Sequence, residues 1–199
     1  MAARCTARHR KPARPGSGNG GFTLVELMIG LLVLSVLLAI GAPAFTNLIK
    51  DNRLLSEVYA LRASLNRARS EALAQRTFVI VCRSSDLSAC DTGNWNAGYI
   101  AFTDEDGTGN PADPNQIFIT HTPPEKLTVT YTDTIPTAES DRIRFNSRGY
   151  VMAYDGTLTI CDDRGNPEAR GVIVASTGIV RAALVDPNDP GADTLASCP

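Results

Sequence analysis

The sequence predicts an α+β fold: one long N-terminal helix, apolar in its first half, whose second half packs on an antiparallel β-sheet domain. Three observations lead there. Residues Leu27 to Ile49 form an uncharged run of 23 residues. Beyond it an apolar stripe continues at helical spacing with no Pro or Gly between residues 44 and 76. From residue 77 the pattern changes to short β-rich runs separated by Gly, Pro, Asn and Asp. The 199 residues suit one domain with an added segment, and 43% apolar against 20% charged residues supports a packed core.

The chain opens on a basic stretch. Arg4, Arg8, Arg10, Lys11 and Arg14 give residues 1–21 a charge of +5 with no acid. The remaining 14 basic residues face 21 acidic ones, so the rest of the chain carries −7 within an overall −2. A body that acidic is a poor general binder of nucleic acid, which needs clustered Lys and Arg. The only histidines, His9 and His121, lie far apart, which leaves little for His-based metal sites or triads.

The run from Leu27 to Ile49 would extend roughly 34 Å as a helix, enough for a hydrocarbon core of about 30 Å. A cleaved secretory signal has a shorter apolar region of about 7–15 residues and a small-residue cleavage site. Here Ala42-Pro43-Ala44 only mimics one. The positive-inside rule places the N-terminus in the cytoplasm and residues 50–199 outside. Glu26 stands at the start of this apolar segment, and a carboxylate there is a functional candidate because its insertion costs free energy.

With these residues in place, Gly20-Gly21-Phe22-Thr23-Leu24-Val25-Glu26-Leu27 resembles the prepilin signature of type IV pilins and type II secretion pseudopilins. The resemblance implies cleavage between Gly21 and Phe22 by a prepilin peptidase and N-methylation of Phe22. It also implies a bend of the helix at Pro43 and assembly through Glu26, whose carboxylate pairs with the Phe22 amine of a neighbouring subunit. The expected organisation is a leader over 1–21, a transmembrane and filament-core helix over 22–49, and a periplasmic domain over 50–199.

Within that domain, residues 50–76 are expected to continue the helix. Leu54, Val58, Leu61, Leu65, Ala68 and Ala72 form its apolar stripe, with Arg62, Asn66 and Arg69 off it. Eight β-rich runs follow over 77–82, 99–102, 116–120, 127–131, 142–145, 157–161, 172–176 and 180–185. They predict an antiparallel domain of seven or eight strands, with no internal repeat and no βαβ alternation. Several of these blocks are similar to the GspH/FimT-type minor pilins and pseudopilins. They include residues 65–82, Trp95 to Asp104, Phe145 to Gly149, Gly156 to Cys161 and Ser176 to Arg181.

Cys5 falls in the leader. Cys82, Cys90, Cys161 and Cys198 fall in the exported part, where disulfides persist and three pairings are open. Closure of a tight loop after a strand favours Cys82–Cys90, and Cys161–Cys198 would tie the Pro/Asp-rich tail to the sheet. A zinc site lacks CxxC spacing and a nearby His. Asp104-Glu-Asp-Gly-Thr-Gly-Asn-Pro-Ala-Asp113 echoes a calcium loop through Asp104 and Asp106. However, Thr108 replaces the third carboxylate and Asn115 the bidentate Glu, so a solvated turn is expected. Asp186, Asp189 and Asp193 form a second acidic loop.

No catalytic motif is present: no G-x-S-x-G, no HExxH and no phosphate-cradling glycine loop. Together with the resemblance, which implies a structural subunit of a type II secretion pseudopilus or a type IV pilus, the expectation is a non-enzymatic protein without cofactor or metal. Its partners would be other pilins, the prepilin peptidase and the inner-membrane assembly platform. A DNA-binding minor pilin is the alternative within the family. The implied Gly-Arg-x-Arg motif is reduced to Gly178-Ile179-Val180-Arg181, and Arg170 and Arg181 are the candidate DNA contacts, expected to sit together across a strand pair. A signal-anchored periplasmic domain unrelated to filaments is the alternative outside it.

Overall fold

The computed structural model describes residues 21–134, 142–151, 154–183, 193 and 195–198. The leader residues 1–20 with Cys5, the end of the last β-rich run at 184–185, and Asp186 and Asp189 lie outside the described residues, as does the side chain of Pro43. Contacts divide the chain into two units, residues 1–44 and 45–199.

One helix, α1 (Leu24–Gln75), contributes to both units. It starts at Thr23, whose hydroxyl oxygen accepts the Glu26 backbone N–H at 3.2 Å and satisfies a donor the first turn leaves open. It ends at Arg76, which takes a left-handed conformation (φ 55°) just past the last helical residue.

In the first unit every described residue whose side chain is placed is exposed. In the second, the predicted stripe is buried: Leu54, Val58, Leu61, Leu65, Ala68 and Ala72 all enter the core. The expected runs form β1 (Phe78–Arg83), β2 (Tyr99–Asp104), β3 (Ile117–His121), β4 (Thr128–Asp133), β5 (Arg142–Phe145), β6 (Gly156–Cys161), β7 (Arg170–Val174) and β8 (Val180–Ala182). They make two four-stranded antiparallel sheets, β3-β2-β1-β5 and β4-β6-β7-β8.

One apolar cluster joins the helix stripe to both sheets, through Val79, Val81, Tyr99, Ile143 and Phe145 of the first and Val129, Leu158, Ile160, Val172 and Val174 of the second. Period-two alternation sends Ile80, Cys82, Ile100 and Phe102 to the other face of the first sheet. There they form a smaller cluster with Leu87, Cys90 and Ile117. Burial on both faces explains why β1 and β2 read as continuous apolar runs.

Candidate functional site

The N-terminal segment presents apolar surface without cover. Phe22 is 85% exposed, and Leu24, Val25, Leu27, Met28 and the aliphatic residues onward to Ile49 are exposed in turn. A helix long and apolar enough to cross a membrane includes this stretch, and its most apolar window has no buried residue. Surface of that extent is not stable against water, so it requires lipid tails or other helices. Gly21, Phe22 and Glu26 lie together at its start, with Glu26 in the first helical turn.

The second unit places a titratable pair inside the helix–sheet contact. Glu57, 2% exposed, holds both carboxylate oxygens at 3.0 and 3.1 Å from His121 Nε2 at the end of β3. The His121 ring packs against Tyr99 with centroids 5.0 Å apart. The Tyr99 hydroxyl hydrogen-bonds Ser64 Oγ at 3.1 Å, and its pKa is pushed far above the ordinary 10 by burial. Sequence reasoning saw in His121 only one of two distant histidines and missed its partner, because Glu57 lies 64 residues away.

Arg69, off the apolar stripe, reaches two turns. Its Nε donates to Gly149 O at 3.1 Å and its Nη2 to Thr177 O at 3.3 Å. The blocks Phe145 to Gly149 and Ser176 to Arg181 therefore meet under one helical guanidinium. Gly178, at φ 78°, sits so close that a Cβ there would lie 1.8 Å from Gly149 O.

The acidic loop after β2 is not the fully solvated turn expected of it. Asp104 is buried, accepts the Gly109 N–H at 3.1 Å and pairs with Arg144 Nη2 at 3.1 Å. Arg144 reaches it from β5 across β1 and stacks over Phe78 at 4.1 Å. Asp106 accepts from the backbone and hydroxyl of Thr108, which lowers its pKa. Among the described residues no group of His, Cys, Asp and Glu is placed to hold a metal.

Two disulfides are formed, Cys82–Cys90 and Cys161–Cys198. The first closes the loop over the small cluster on the outer face of β1 and β2, and the second ties residue 198 to the end of β6.

The register corrects the pairing expected of Arg170 and Arg181. Arg181 lies opposite Ile173, whereas Arg170 lies opposite Ile160. Side chains alternate along β7, so the two arginines belong to opposite faces of the sheet. Arg181 is held by Asp193 at 2.6 and 2.7 Å, a bidentate pair that raises its pKa and offsets its charge. Arg170 donates to the carbonyls of Glu168 and Ala169.

Residues 57–178 match the family model of the type II transport protein GspH, and residues 16–42 match the prokaryotic N-terminal methylation motif. A search of curated proteins finds no match. Among solved structures, the type IV minor pilin FimU of Pseudomonas aeruginosa is similar at 21% identity and a TM-score of 0.51, over 66% of this chain and 89% of that one. The minor pseudopilin EpsH of the Vibrio cholerae type 2 secretion system aligns at 15% identity and a TM-score of 0.48, over 69% and 99%. At this identity the likeness to FimU speaks for the fold alone.

Proposed function

We infer the role of this chain from the family to which it belongs, that of the type II transport protein GspH: it is a minor pilin or pseudopilin, a structural subunit of a secretion pseudopilus or a type IV pilus. The observation that carries this reading is one continuous helix with two surfaces. Its first half is fully exposed and apolar, and its second half buries a stripe in the two-sheet domain. Such a subunit is anchored by the apolar half and presents the domain outside.

On this reading residues 1–21 are a leader removed between Gly21 and Phe22, and Phe22 is methylated. Residues 22–49 span the inner membrane before assembly, with the N-terminus in the cytoplasm and residues 50–199 in the periplasm. The prepilin peptidase and the inner-membrane platform act on it, and other pilins pack against its helix. Its role is structural rather than catalytic, and it needs no cofactor.

Intact-mass analysis of the chain from membranes tests this. The expected species begins at N-methylated Phe22. A retained leader, or a chain cut after Ala44, would reject the pilin reading in favour of a plain signal-anchored domain.

A further inference from the structure

The uncharged run ends at Ile49, and the charges that follow it gather in one place. Lys50 and Arg53 of α1 line a cleft of about 90 Å³ together with Glu125, Lys126, Leu127, Asp162 and Asp163. A rim cleft of that size takes a small charged headgroup and not a folded partner.

The charges divide into two sets. Lys50 pairs with Asp163 at 2.8 Å, and Asp162 is held by Arg164 at 2.7 Å. Arg164 also pairs with Asp51 at 2.8 Å, fixing the middle of α1 to the turn after β6. Arg53, Lys126 and Glu125 have no ion pair among the described residues. Lys126 also occupies a costly position. The turn closed by the Leu127 N–H on Pro124 O puts it at φ 73°, where glycine is unstrained and a lysine is not. The fold thus spends backbone strain to keep a long cation at this rim, beside a free guanidinium and a free carboxylate.

We propose that this cleft seats the headgroup of a phosphoethanolamine lipid, its phosphate between Arg53 and Lys126 and its ammonium on Glu125. The inference rests on the reading that residues 27–49 cross the bilayer, because Lys50 is then the first residue at the membrane surface. Two cations and one carboxylate complement a headgroup of opposite charges. A phosphoglycerol headgroup leaves Glu125 facing an anion without a cation. A choline headgroup offers its cation without an N–H to donate.

The full chain in detergent is titrated with phosphatidylethanolamine, phosphatidylcholine, phosphatidylglycerol or inorganic phosphate, with bound species counted by native mass spectrometry. Retention of phosphatidylethanolamine about tenfold above the other lipids is expected. Arg53→Gln with Lys126→Gln should abolish that preference, and Glu125→Gln should shift it toward phosphatidylglycerol. Unchanged Trp95 fluorescence shows that these variants are folded. Equal retention of the three lipids, phosphatidylglycerol above phosphatidylethanolamine, inorganic phosphate held as well as lipid, or no effect of the double substitution overturns the site. Flotation of the same chain with phosphatidylcholine vesicles separates the two readings: a chain that floats without headgroup preference refutes only the cleft, and one that does not float refutes the membrane span as well.

Discussion

A single carboxylate shows how the domain fastens its helix. Glu57 lies in the buried face of α1, one position before Val58 of the apolar stripe, and a charge there is tolerated only because His121 bonds both of its oxygens. Removing one partner of a buried pair costs more than the pair itself contributes. His121→Ala should therefore destabilise the domain by roughly 3 kcal/mol, whereas Glu57→Met with His121→Leu should recover most of that loss. The measurement is urea unfolding of the full chain in mild detergent. It is followed by the fluorescence of Trp95, the single tryptophan, which is packed between Tyr99 and Tyr131. A double variant as unstable as His121→Ala would show that the pair itself is a net stabiliser. Neither the pair nor the reach of Arg69 was legible in the sequence. Both join residues separated by 64 or more positions, and nothing in local periodicity reports such a meeting.

At the scale of elements, local pattern did report what local physics decides. The stripe from Leu54 to Ala72 follows from a period of 3.6, and the eight strands from short apolar or β-rich runs bounded by turn residues, all of which the chain encodes within a few residues. The division into two sheets does not, because β1 pairs with β5 across about sixty residues while β4, lying between them in sequence, joins the other sheet. The two disulfide loops act on different scales. Cys161–Cys198 spans 37 positions and Cys82–Cys90 only 8. In the chain-entropy model these closures are worth about 4 and about 2.5 kcal/mol. Replacing Cys161 and Cys198 by Ser should lower the unfolding midpoint more than replacing Cys82 and Cys90, a reversal of which would show that the small cluster around Cys82 outweighs loop entropy.

The short loop has its own pH dependence. Asp86 is lowered from the ordinary 3.8 to about 2, first by the Ser88 hydroxyl and then by the Ser88 N–H, and Asp91 is lowered by Ser85. Folded values below the unfolded ones mean that this order is complete above the ordinary carboxylate range and fades as pH falls from about 3.8 toward about 2. Hydrogen exchange at the Ser88 amide, corrected for intrinsic rate, should lose protection across that window in the wild type, and Asp86→Asn should show no such acid transition.

For the whole molecule, the open question is why an apolar anchor carries Glu26. A helix selected only to hold a domain in a bilayer would gain from Glu26→Leu, since the carboxylate raises the cost of insertion. A helix that must leave the bilayer and pack among its own kind has a different need. On the proposed processing, the α-amino group of a neighbouring Phe22 would be buried in a filament core, and Glu26, the fifth residue of the processed chain, would neutralise it. The exposed apolar surface of residues 22–49 is common to both cases, so the carboxylate alone distinguishes them. Glu26→Leu should leave membrane insertion and the head domain unchanged while reducing incorporation into sheared filaments by at least about tenfold, with matching loss of piliation or secretion. Membrane fractionation and filament immunoblots in a strain lacking the native copy provide the measurement. Normal incorporation of the variant would mean that Glu26 does no more than sit at the lipid headgroups, and that subunits recognise one another through their domains.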